Sequence, residues 1–170
     1  MPLAVHLLFG AIITALIHPL GLGLFLAFAS HYALDALPHW DYSIENIKSK
    51  KWNNAFPDFA KIFFDVFPVL AIIFIVSKNP YLLLGAVLAG LPDILMFSNW
   101  IFPNKILLFL DEKIHNKTHY PEQKTRLCLR ALVTFLIFIL AFYVLFTATV
   151  NSPLTGSFST LSKTSLNGPR

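Results

Sequence analysis

Charge is scarce in this chain. Only 13% of its 170 residues are Asp, Glu, Lys or Arg, against 56% hydrophobic. An ordinary soluble domain is about 25% charged. Too few polar groups are present to cover a water-facing surface, and long-range disorder is excluded for the same reason. Cysteine is nearly absent too. Cys128 is the one thiol, which rules out a disulfide framework and any Cys-rich zinc or iron–sulfur site. No Gly-rich phosphate loop and no RNA-binding signature occurs. What is abundant is Phe, with 17 residues, and the mean hydropathy is +0.65. These features describe an integral membrane protein. The formal charge of +4 then marks lysines that set topology and meet anionic lipid, with no nucleic-acid partner expected.

Five apolar segments stand out, at about 3–17, 20–37, 59–76, 81–100 and 131–150. The expected fold is all-α and polytopic, with about five transmembrane helices. A single helix over the first two segments would be ~54 Å long, far beyond a hydrocarbon core of ~30 Å. His18-Pro19-Leu20-Gly21 is therefore a tight turn. Each half is shorter than a standard span, so a short or re-entrant hairpin is the alternative. Pro92 predicts a kink in the fourth segment, and the fifth carries no charge at all. The membrane-embedded helical domain is taken as 1–150. The Ser-, Thr-, Gly-, Pro- and Asn-rich stretch 151–170 is expected to be a disordered C-terminal tail. No Lys or Arg precedes the first apolar run, so a cleaved signal peptide is not expected.

Five spans place all Lys and Arg residues except Lys78, Lys163 and Arg170 on the side that holds the N-terminus. That is ten against three. The positive-inside rule makes this side cytoplasmic, in an inner (cytoplasmic) membrane. Trp40, Trp52 and Trp100 fall near the same interface, where indole rings prefer to sit.

Glu45, Asp111, Glu112 and Glu122 fit solvated loop charges. His6, His31, Asp35, Asp65 and Asp93 lie inside apolar sequence. There a charged side chain costs ~2.5–3.5 kcal/mol at a helix centre and is a functional candidate by default. His31 and Asp35 are four apart, on one helix face. Pro38 is expected to end that helix, leaving His39 and Asp41 beside the same face. Imidazole with carboxylate suits zinc first, with manganese or iron as alternatives. Asp35 can instead orient His31 by accepting its hydrogen bond, or the two can form a purely structural pair in lipid. His6 belongs to the same end of the hairpin. Gly10, four residues on, permits a close helix approach. Pro92 frees backbone groups that Asp93 can satisfy. His115 and His119 share a face if their segment is helical and are ordinary loop residues if it is not. Asp65 is expected to pair with Lys61, its i−4 neighbour.

Three stretches carry a resemblance: Val5-His6-Leu7-Leu8-Phe9-Gly10, Ser30-His31-Tyr32-Ala33-Leu34-Asp35 and Gly90-Leu91-Pro92-Asp93. They resemble motifs of bacterial inner-membrane metal-dependent hydrolases of the LexA-regulated type. The Ser-His-x-x-x-Asp stretch is also similar to the motif of zinc-dependent phospholipases C. Together the three stretches hold 16 of the 170 residues. The order departs from the usual family pattern, because His31 and Asp35 precede Asp93 and Leu95 stands where a second Asp is usual. The resemblance implies an ion bound by His and Asp and hydrolysis of an ester or phosphoester, lipid-linked substrates included, at the cytoplasmic leaflet. On this expectation His31, Asp35 and His39 are metal ligands, completed by His6, with His115 or His119 closing the site. Asp41 or Asp93 acts as general base, and Lys113 and Lys117 hold a substrate phosphate. Two other functions use the same residues. One is a non-catalytic membrane scaffold or assembly protein, with polar groups binding helix to helix. The other is a small ion-coupled transporter, which the lack of an internal repeat disfavours.

Overall fold

The computed structural model describes residues 1–77, 79–110 and 126–150. Among these the elements are helices only: α1 (Leu3–Leu16), α2 (Leu20–Asp35), the single turn α3 (Glu45–Lys48), a 3₁₀ turn (Trp52–Asn54), α4 (Phe56–Ser77), α5 (Pro80–Ile101), α6 (Lys105–Leu110) and α7 (Leu127–Val150). The expected tail at 151–170 lies outside the described residues.

Among the described residues three helices are long and apolar enough to cross a membrane: Phe56–Ser77, Pro80–Ile101 and Leu127–Thr147. With 14 and 16 residues, α1 and α2 are only ~21 and ~24 Å long, short of a ~30 Å core. Five full spans are therefore not what the helix lengths support. Instead α1 is the buried element of the bundle. It packs against α2, α4, α5 and α7, most extensively against α5. Its Val5, Leu7, Leu8 and Ala11 are each at most 2% exposed. A helix apolar on every side belongs inside a bundle. By contrast α4 and α7 turn large side chains outward, among them Phe63, Phe64, Phe67, Phe135, Leu136 and Leu140. That belt suits lipid.

Glycine sets the α1–α5 approach. A Cβ added at Gly10 would overlap the Gly85 carbonyl and lie 2.6 Å from the Ala89 Cβ. The two backbones touch directly, as small residues permit in membrane bundles. Pro92 does not end α5, and Pro68 does not end α4. Neighbouring elements tolerate such prolines in membrane helices.

The loop after α2 is tied down. Trp40 N donates to Thr134 Oγ1 of α7 at 2.9 Å, and the Tyr42 hydroxyl donates to Asp65 Oδ2 at 3.1 Å. Asp65 Oδ2 also accepts from Ala4 N in the first turn of α1 at 3.2 Å. An acid on α4 thus satisfies one of the orphan donors that every helix start leaves. This corrects the expected Asp65–Lys61 pair. Lys61 instead pairs with Asp58 Oδ1 at 3.1 Å, and Asp58 Oδ2 accepts from the backbone of Asn46 and Ile47. Burial and the nearby Asp65 carboxylate push the Tyr42 hydroxyl pKa up, which keeps it a donor.

Asp65→Ala strands Ala4 N and the Tyr42 hydroxyl. A buried polar group without its partner costs about 1–3 kcal/mol. Thermal unfolding in detergent should show that loss, and Asp65→Asn, which keeps an acceptor oxygen, should recover part of it.

Candidate metal centre

The N-terminal turns of α1, the C-terminal turn of α2 and the middle of α5 meet at one end of the bundle. Each contributes ionisable groups. His6 comes from α1, His31 and Asp35 from α2, and Asp93 from α5. His6, His31 and Asp35 are at most 1% exposed, while the Asp93 side chain is 18% exposed.

Asp35 bridges the Nε2 atoms of the two imidazoles. Its Oδ1 is 3.2 Å from His6 Nε2 and its Oδ2 is 3.1 Å from His31 Nε2. His31 Nε2 also lies 3.7 Å from Asp93 Oδ1. The two rings are nearly face to face, with centroids 4.3 Å apart and planes 31° from parallel. Ligand atoms of His6, His31 and Asp93 all fall within 4.8 Å of one another.

A backbone contact decides the His31 tautomer. Nδ1 is 2.9 Å from the Ala89 carbonyl oxygen, which can only accept. The ring hydrogen is therefore on Nδ1. In the neutral ring Nε2 then presents a lone pair toward two carboxylates. Lone pairs of one sign face each other there, so the arrangement calls for a cation, either a proton on the ring or a metal ion. A histidine whose other nitrogen is fixed by a backbone carbonyl is the usual form of a metal ligand. At His6 the approach to Asp35 is short but off-direction. Neither ring nitrogen has a partner in hydrogen-bond geometry, although the side chain is fully buried. An orphaned buried imidazole nitrogen next to a carboxylate is a donor site awaiting an acceptor of its lone pair. The donor set of two imidazoles and one or two carboxylates thus fits a divalent ion of the zinc, manganese or iron kind.

One cation already touches the cluster. The Met1 amino group is 3.3 Å from Asp35 Oδ1 and 3.7 Å from Asp41 Oδ2. No sequence motif signals that contact, which arises because α1 starts beside the end of α2.

Comparison with protein-family models, with characterised proteins and with solved structures returns no match. Of the expected ligands, the chain brings His6, His31 and Asp35 together and adds Asp93 to them. His39 is buried but outside the three-residue group, and its Nδ1 donates to the Leu37 carbonyl at 2.8 Å. Asp41 is on the edge. Its Oδ1 accepts from Tyr42 N at 2.8 Å, and its Oδ2 faces the Met1 amino group. His115, His119, Lys113 and Lys117 lie outside the described residues.

A cavity of about 610 Å³ lies between α1, α4, α7 and the 40–42 loop, and none of His6, His31, Asp35 and Asp93 lines it. Pro2, Ala4, Val5, Trp40, Phe135 and Phe138 give it apolar walls, and Tyr42, Lys61, Asp65 and Thr134 are its polar members.

Proposed function

We propose that the chain is a membrane-bound metal-dependent hydrolase. It acts on an ester or phosphoester, with the reacting group held at the buried end of the bundle where α1, α2 and α5 meet. One observation carries this reading. One ring nitrogen each of His6 and His31 and a carboxylate oxygen of Asp93 lie within 4.8 Å of one another, and Asp35 bridges the two Nε2 atoms. A divalent ion bound there would lower the pKa of its water toward 7 and polarise the scissile group. His6, His31 and Asp93 would hold it, and Asp35 would either complete the set or orient the rings. Catalytic zinc sites use three protein ligands and keep one position open, which this donor count allows. A lipid-linked substrate would suit a site buried at the end of a membrane bundle.

The test has two parts. Protein purified from metal-replete cells should carry close to one equivalent of zinc, manganese or iron. Hydrolysis of a panel of carboxylic and phosphoric esters should vanish with chelator and return with the metal. Absence of metal from the wild type would leave the non-catalytic reading ahead, in which the 3.2 Å His6–Asp35 contact binds α1 to α2 and the 3.7 Å His31–Asp93 contact binds α2 to α5.

The location proposed is an inner membrane with the N-terminus cytoplasmic, on the strength of the Lys and Arg asymmetry. Cysteines placed at Ser49 and Ser159 in a Cys128→Ser background report it. A membrane-impermeant maleimide should reach position 49 from the cytoplasm and position 159 from outside. Labelling of both from one side overturns the arrangement.

A further inference from the structure

The segment Glu45-Asn46-Ile47-Lys48-Ser49-Lys50-Lys51-Trp52-Asn53-Asn54 holds three lysines and one acid. Its backbone is well tied. Ile47 is fully buried, Asn46 and Ile47 donate to Asp58, and Lys51 N donates to the Asn46 carbonyl at 2.7 Å. Lys48 Nζ lies 5.1 Å from the centre of the Trp100 ring, near the end of α5, a cation–π contact. Lys50, Lys51, Trp52, Asn53 and Asn54 then line a concave surface of about 350 Å³. All five are exposed, and among the described residues neither Lys50 nor Lys51 has a carboxylate partner.

The neighbourhood fixes the depth. This surface adjoins the start of α4 at Phe56 and the end of α5 at Ile101, where two candidate spans leave the apolar layer. Trp52 is 46% exposed and Phe56 81%. Aromatic rings exposed beside unpaired ammonium groups match the headgroup region, where indoles settle and phosphates collect. Among the described residues no carboxylate lines the concavity, so none of them would receive the ammonium of a zwitterionic headgroup.

We propose that Lys50, Lys51, Trp52, Asn53 and Asn54 form a binding site for the phosphate headgroup of an anionic phospholipid from the surrounding leaflet. The lysines attract the phosphate, the Asn side chains can donate to its oxygens, and the lipid chains run down the exposed Phe59 and Phe63 face of α4. The site is separate from the His–Asp cluster and does not depend on it.

Native mass spectrometry of the full chain in mixed micelles tests this, with phosphatidylglycerol and phosphatidylcholine in competition. The wild type should retain phosphatidylglycerol at least tenfold over phosphatidylcholine, with the preference fading as salt rises. Each lysine near an anionic lipid surface is worth about fivefold. The double variant Lys50→Asn, Lys51→Gln should therefore lose about 25-fold in phosphatidylglycerol retention. Asn is chosen because Lys50 has φ 56°, a left-handed backbone that Asn tolerates. Arginine at both positions should keep the preference. Equal retention of the two lipids by the wild type overturns the proposal, as does an unchanged preference in the neutralised variant. Loss of the preference to millimolar inorganic phosphate overturns it as well, by making this a free-anion site.

Discussion

His31→Ala is expected to remove most of the bound metal, while His18→Ala leaves metal content unchanged. His31 holds the central position. Its Nε2 faces both Asp35 and Asp93, and its Nδ1 hydrogen is anchored on the α5 backbone at Ala89. Without that imidazole, His6 and Asp93 are two protein donors where a catalytic site needs three. Asp35→Ala and Asp93→Asn should each weaken binding too. His18 is exposed in the turn at the opposite end of α1 and touches none of these groups. The substitution also leaves Asp35 short of a partner, which costs stability of about 1–3 kcal/mol. Metal must therefore be counted per folded protein, by elemental analysis after size exclusion, with thermal unfolding measured alongside. A drop in stability with metal content equal to wild type would mean the His–Asp contacts only hold helices together.

Much of the helical layout is legible in the residues themselves. Long apolar runs predict α4, α5 and α7 to within about four residues at either end, and the His18–Gly21 break separates α1 from α2. The short helices inside polar loops, α3 and α6, leave no such signal, because one or two turns produce no apolar period. Spacing alone was also unable to choose the partner of Lys61. Asp58 at i−3 and Asp65 at i+4 both share its face. The structure selects Asp58, because Asp65 is occupied by the first turn of α1 and by Tyr42. The same limit applies to the site. The His31–Asp35 pair follows from a four-residue step on one helix. The arrival of Asp93 depends on how deeply α5 seats against α1, which is tertiary geometry. His39 is close to the pair in sequence, but the group of His6, His31 and Asp93 forms without it.

Gly10→Val is expected to damage stability and metal binding together. A Cβ at position 10 would overlap the Gly85 carbonyl and press on Ala89, and both are parts of α5 that cannot rotate out of the way. A Cβ at Gly85 meets the same obstacle from the other side, lying 2.8 Å from the Gly10 carbonyl and overlapping the Thr14 hydroxyl. Even one methyl therefore forces the helices apart. Overpacking of this kind costs about 1–3 kcal/mol or more. The cost does not stay local. α1 carries His6, and α5 carries both Asp93 and the Ala89 carbonyl that orients His31. Separating them opens the group whose ligand atoms now lie within 4.8 Å. Gly21 provides the contrast, since a Cβ there meets nothing within 4 Å. Gly21→Ala should unfold at the wild-type temperature or slightly above, with full metal content. Gly10→Val should unfold several degrees lower and bind the ion more weakly in titrations of chelator-treated protein. If Gly10→Val matches Gly21→Ala in both measurements, the α1–α5 contact is not what assembles the His–Asp cluster.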